Sequence, residues 1–169
     1  MTDDEKILKI VQSLTVHALG DIKRASSGGC KLGAFILSSC LIDAMAGFVK
    51  GQDTIRKDYI NFVTRYMPAY DGNKLYYDLR CKLVHSYSVG GSYIFLDAKP
   101  EHHMKISGTK IIINLENFVS DVENALKKFC KRLQNPYETQ LRLKALKRLD
   151  NNGIVGVVEL NMPDTEARQ

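Results

Sequence analysis

The chain has 169 residues, 44% of them hydrophobic and 25% charged. That balance fits one soluble globular domain and excludes wholesale disorder, a collagen-like repeat and a disulfide-dense miniprotein. The net charge of +5 is concentrated in one place: from Lys127 to Arg148 eight basic residues (Lys127, Lys128, Lys131, Arg132, Arg142, Lys144, Lys147, Arg148) stand against one acid, Glu138, so that stretch is +7 and the remainder −2. Such a stretch either attracts phosphate-bearing partners or forms a solvated helix face.

Residues 4–24 carry Ile7, Leu8, Ile10, Val11, Leu14, Ala18, Leu19 and Ile22 at helical spacing, and Ser26-Ser27-Gly28-Gly29 breaks the pattern. Residues 31–50 are apolar on nearly all sides. Within them Leu32–Val49 has the length of a membrane span but contains Ser38, Ser39 and Asp43. A central Asp costs about 2.5–3.5 kcal/mol in a bilayer, so a helix buried in a soluble bundle is expected. A turn at Gly51-Gln52-Asp53, with Asp53 as a plausible N-cap, leads into a helix over 54–66 that ends before Pro68. After a turn at Asp71-Gly72-Asn73, residues 74–87 predict a fourth helix, stopped by Gly90-Gly91.

The pattern then changes. Tyr93–Leu96, His103–Ile106 and Lys110–Ile113 are short β-prone runs divided by turns, which predicts a small antiparallel meander. Residues 115–134 return to a helix with Leu115, Phe118, Val119, Val122, Leu126, Phe129, Cys130 and Leu133 on one face. Pro136 suits the start of a last helix over 137–149. A terminal strand is expected over 154–160 and a polar tail over 161–169. With no internal repeat or low-complexity linker, the expectation is a single mostly α domain over 1–160.

Cys30, Cys40, Cys81 and Cys130 are far apart, and no pair has the spacing of a zinc site or a redox motif. The N-terminus lacks the basic and apolar regions of a signal peptide. Reduced thiols in a cytoplasmic protein are therefore expected, with no membrane partner, no metal and no cofactor. His102 and His103 fall in the expected meander, where neighbours point to opposite faces, and read as surface polar residues.

The informative stretch is Leu79-Arg80-Cys81-Lys82-Leu83-Val84-His85. Five residues along an ideal α-helix turn by roughly 500°, so Arg80 and His85 would differ in direction by about 140° and border a groove rather than share a stripe. On spacing alone, Arg80 can be a surface ion-pair residue and His85 a cap on the last carbonyls. An imidazole can move protons near neutral pH, an Arg fork can answer charge developing on a phosphate, and RNA carries its own nucleophile in the 2′-OH. Asp43, the one acid within 31–50, needs a cation or several donors, and Arg80 is the expected partner, although an outward-facing Asp43 or another partner would also satisfy it. Tyr76, Tyr77 and Tyr87 flank the motif and are candidates for stacking on bases, with core packing expected for at least one of them.

Arg80-x4-His85, on a helix that follows three apolar helices, resembles the R-x4–6-H motif of the HEPN superfamily, and Leu79–Ser86 has the character of stand-alone bacterial members. The resemblance covers about residues 1–135 and implies a HEPN-like helical bundle. It also implies metal-independent RNA cleavage in a toxin–antitoxin or defence setting, with Arg80 and His85 of two copies meeting in a composite site. The partners implied are RNA, a second copy of the chain and an antitoxin or other protein. Cys81 stands where active members often have a polar residue. The family also contains non-catalytic modules that bind RNA, a nucleotide or a partner protein, which is the alternative implied.

Overall fold

A computed structural model describes residues 1–88 and 90–154 as a mostly helical bundle with a three-stranded sheet set between helices. Helix α1 (Asp3–Gln12) starts with a capping box: the Thr2 hydroxyl accepts from Glu5 N–H, and the Glu5 carboxylate accepts from Thr2 N–H. It passes through a π-helical stretch, Ser13–Ala18, into α2 (Leu19–Ser27), so the first expected helix is one long rod with a widened centre. Gly28 and Gly29 turn the chain into α3 (Lys31–Lys50).

Helix α3 is the axle of the fold. Ten of its residues are buried, among them Phe35, Ile42, Met45 and Phe48, and it packs against α2, α4 (Arg56–Tyr66), α7 (Leu115–Gln134) and α8 (Thr139–Asn152). Its length and composition would suffice to cross a membrane, but here its apolar surface is spent on neighbouring helices. It ends at Gly51, whose φ of +91° and close approach to Lys144 on α8 both call for a residue without a side chain.

Asp53 does not cap α4. The helix starts two residues later than expected, with the Asp58 carboxylate accepting from Ile55 N–H, and Asp53 instead accepts from Arg148 and Asn152 on α8. The turn carrying Asp53 is held towards α8 by these bonds, so its side chain is unavailable to α4. Pro136 likewise lies outside α8. Asn135 closes a turn around it, its side chain accepting from Tyr137 N–H and its carbonyl from Glu138 N–H, which delays the helix to Thr139. Helix α7 occupies the expected span.

The sheet is not a meander. Strand β1 (Tyr93–Leu96) pairs in parallel with β3 (Lys110–Asn114), and only β2 (Ile106–Ser107) runs antiparallel to it, giving the order β1-β3-β2. The intervening chain makes a 3₁₀ turn, Pro100–His102, flanked by Lys99 and Met104 in the left-handed region, so most of the run expected over 103–106 is turn. This also corrects the reading of His103, which is not a surface residue. Its side chain is 13% exposed: Nδ1 accepts from Asn114 N–H, and Nε2 lies 3.1 Å from the Tyr70 hydroxyl and 3.4 Å from Asp121. Burial, then the Asp121 carboxylate that accepts from it, pushes the Tyr70 hydroxyl well above the usual phenol range. The strand expected over 154–160 lies outside the described residues except for Ile154, as does the tail.

Glu123 on α7 bridges Lys23 on α2 (2.7 Å) and Lys127 one turn ahead (3.0 Å). The hydrogen bond from Lys23, then that from Lys127, holds its carboxyl below the ordinary 4.5. A depressed folded-state pKa gives stability that is present above pH 4.5 and lost as pH falls through the lower, folded value. Acid titration of unfolding should therefore show a loss of under about 1 kcal/mol in that window, because the lysines are largely exposed. Glu123→Gln should remove that component while leaving the neutral-pH midpoint within about 1 kcal/mol of wild type.

Candidate functional site

The motif helix opens as α5 (Gly72–Leu75). The Asp71 carboxylate caps it, accepting from Asn73 N–H (2.9 Å) and Lys74 N–H (3.1 Å). It then widens into a π-helical stretch, Tyr76–Leu83, before a last turn α6 (Val84–Ser86) and Tyr87 in the left-handed region. Backbone bonds here step five residues, as from Val84 N–H to Leu79 C=O. In that register residues five apart lie one above the other. This overturns the 140° separation of an ideal α-helix: Arg80 and His85 face the same way, and Arg80 Nη1 donates to His85 Nε2.

Asp43 joins them from α3. Its Oδ2 accepts from Arg80 Nη2 at 3.1 Å and its Oδ1 from the Thr54 hydroxyl. Both members of the ion pair are about a quarter exposed, 27% for Arg80 and 22% for Asp43. His85 is exposed. Asp43, Arg80 and His85 lie along an open cleft of about 240 Å³, to which Ser39, Cys40, Ala44, Val84 and Arg148 also contribute. Burial, then the nearby Asp43, holds the Cys40 thiol above its usual range, so the sulfur is protonated at neutral pH and a poor nucleophile. Among the described residues no group of three His, Cys, Asp or Glu side chains gathers closely enough to hold a metal ion.

The chain beyond His85 is tied back to the same helix. Asp78, 3% exposed, accepts from Ser92 N–H (2.6 Å) and Tyr93 N–H (3.1 Å). Gly91 lies so close that a Cβ would overlap the Asp78 carboxylate, and its φ of +111° disfavours any side chain.

The three tyrosines part company. Tyr76 is partly buried and packs against the core, edge-on to Tyr59 at 5.5 Å. Tyr77 is half exposed under the Arg56 guanidinium, 4.7 Å from its ring centroid, and Tyr87 is fully exposed.

The basic segment divides as well. Arg132 makes a two-pronged ion pair with Glu138 and donates to the Tyr66 hydroxyl, Arg142 pairs with Asp4, and Lys127 with Glu123. Lys128, Lys131, Lys144 and Lys147 are exposed and form no ion pair among the described residues. Arg148 departs from its neighbours and lines the cleft with Arg80 and His85.

Thr54 and the π register were not expected from the sequence. Thr54 has no signal there. Nor does the register, because the buried Leu75, Leu79 and Leu83 recur every four residues, a spacing that an α-helix uses as well.

A double-mutant cycle with Asp43→Asn and Arg80→Met should give a coupling of about 1 kcal/mol in urea unfolding, between the values for exposed and buried pairs. A coupling of zero would mean the pair does not persist in solution. Neither models of protein families, curated proteins nor solved structures match this chain.

Proposed function

We propose that this protein is a HEPN-like, metal-independent endoribonuclease that works as a homodimer in a toxin–antitoxin or defence setting. The observation that carries the reading is the convergence of Arg80, His85 and Asp43 in one solvent-open cleft, on a helix whose π register brings the two motif residues together. An imidazole takes the proton from the ribose 2′-OH, and that oxygen attacks the adjacent phosphorus. The bond to the 5′-oxygen breaks, and that oxygen leaves with a proton. The products are a 2′,3′-cyclic phosphate and a 5′-hydroxyl end, with no oxidant or co-reactant consumed. A guanidinium answers the charge that builds on the non-bridging oxygens, and fixed donors of this kind favour the transition state over the ground state. Asp43 keeps Arg80 aimed at the cleft.

Two imidazoles, one from each copy, would serve as base and acid. A mostly apolar groove beside the cleft, formed by Leu14, Ala18, Leu37, Leu41 and the shared Cys40 and Ala44 with Asp21 at its side, is surface that a second copy would cover. Cys81, at the position after Arg80, favours the alternative of an RNA-binding module without catalysis.

RNA incubated with the protein in excess chelator should be cut, and His85→Ala at equal melting temperature should cut about 10²–10⁴-fold more slowly. A confirmed dimer that leaves varied RNAs intact would falsify the catalytic reading and leave the binding module. If the unpaired lysines guide RNA, binding should weaken steeply with salt, and Lys144→Glu with Lys147→Glu should flatten the slope by about one unit for each phosphate no longer neutralised. An unchanged slope returns those lysines to the role of a solvated face.

A further inference from the structure

Arg148 is held apart from the rest of the basic segment by three features. Its guanidinium lies over Gly47 of α3, where a Cβ would overlap Cζ and Nη1, so the helix is notched for it. It also lies 5.5 Å from the Phe48 ring centroid. Nη1 donates to Gln52 C=O (2.8 Å) and to the Asp53 carboxylate (3.3 Å), which fixes the group in place. Nε and Nη2 have no hydrogen-bond or ion-pair partner among the described residues. The side chain is 17% exposed and borders the cleft that holds Arg80 and His85. A largely desolvated guanidinium with donors to spare binds a phosphate oxygen strongly.

The spacing says which phosphate. Arg80 is tied to Asp43, and Arg148 lies over Gly47, four residues further along the same face of α3, a rise of roughly 6 Å. Neighbouring phosphates of a single strand lie at about that spacing, so the two guanidiniums can engage one each. We infer that Arg148 is a binding residue of the cleft, engaging the phosphate next to the one that Arg80 engages on a nucleic-acid strand. The inference rests on the proposed RNA substrate for the identity of the strand, and it concerns binding rather than cleavage.

The test uses two 2′-O-methyl probes with hydroxyl ends, which cannot be cut: a dinucleotide with one phosphate and a trinucleotide with two. Calorimetry at low salt should show wild type binding the trinucleotide about 10-fold more tightly, the scale of one charge-assisted fork. Arg148→Ala removes the group but also a tie between α8 and the turn after α3, so its loss of binding could be structural. Gly47→Ala keeps every charge but pushes the guanidinium out of its notch and off its ties to Gln52 and Asp53, so its binding is compared at matched melting temperature. Arg148→Lys keeps the charge without the fork. In both, the trinucleotide advantage should shrink to under about 3-fold, with dinucleotide affinity near wild type. Variants that keep the full advantage, or a wild type that binds neither probe, would overturn the inference. An Arg148-dependent advantage in a protein that leaves natural RNA uncut retains this site and discards the ribonuclease. Cleavage of natural RNA with an advantage indifferent to Arg148 does the reverse.

Discussion

A carboxylate on the most apolar helix of the bundle has to be answered. Asp43 sits on α3 beside buried Ile42, with its side chain 22% exposed and lining the cleft. Leaving that charge without donors would cost several kcal/mol, roughly the worth of a small domain's whole stability. Thr54 meets it from the chain that follows α3, and Arg80 meets it from the motif helix. The pairing sets the rotation of that helix against α3. Once Arg80 is committed at one edge of its guanidinium, the other edge faces His85. The polar cleft is thus a consequence of packing an acid into an axle helix.

In the sequence the site was marked by the Arg80-x4-His85 spacing, and Asp43 followed as the one acid of an apolar helix, in need of a cation. The same logic located the long helices, whose buried faces announce themselves by spacing. It failed where geometry is not periodic. The π register moves Arg80 and His85 onto one side by changing the backbone step, and the four-residue spacing of Leu75, Leu79 and Leu83 fits an α-helix equally well. The parallel pairing of β1 with β3 could not be read from three short β-prone runs, because strand direction depends on the turn between them. His103 was misplaced for the same reason: its partners Tyr70, Asn114 and Asp121 come from three distant parts of the chain.

The C-terminal third shows how a charged stretch resolves once it is folded. Its arginines are tied into the structure by planar, directional bonds to Glu138, Asp4, Gln52 and Asp53. Four of its lysines remain as exposed, hydrated point charges. The difference follows from the side chains, since a fork suits fixed acceptors and an ammonium on a flexible stem does not require them. A sum of charges along the sequence treats both alike, and so overstates the electrostatic surface and understates the scaffolding.

The widened turn of the motif helix also constrains chain length. A π-helical stretch holds one residue more than the α-helix that would span the same rise. Deleting a residue within 76–83 would let the backbone close into the α step, with every hydrogen bond still made. The side chains could not follow. Arg80 and His85 would no longer face the same way, or Arg80 would turn away from Asp43, and Asp78 would no longer meet Ser92 and Tyr93. Cys81 lies at the edge of the core, and Lys82, though exposed, reaches the buried Asp78 carboxylate at 3.6 Å. In this segment a substitution that keeps the register should be tolerated better than an insertion or a deletion.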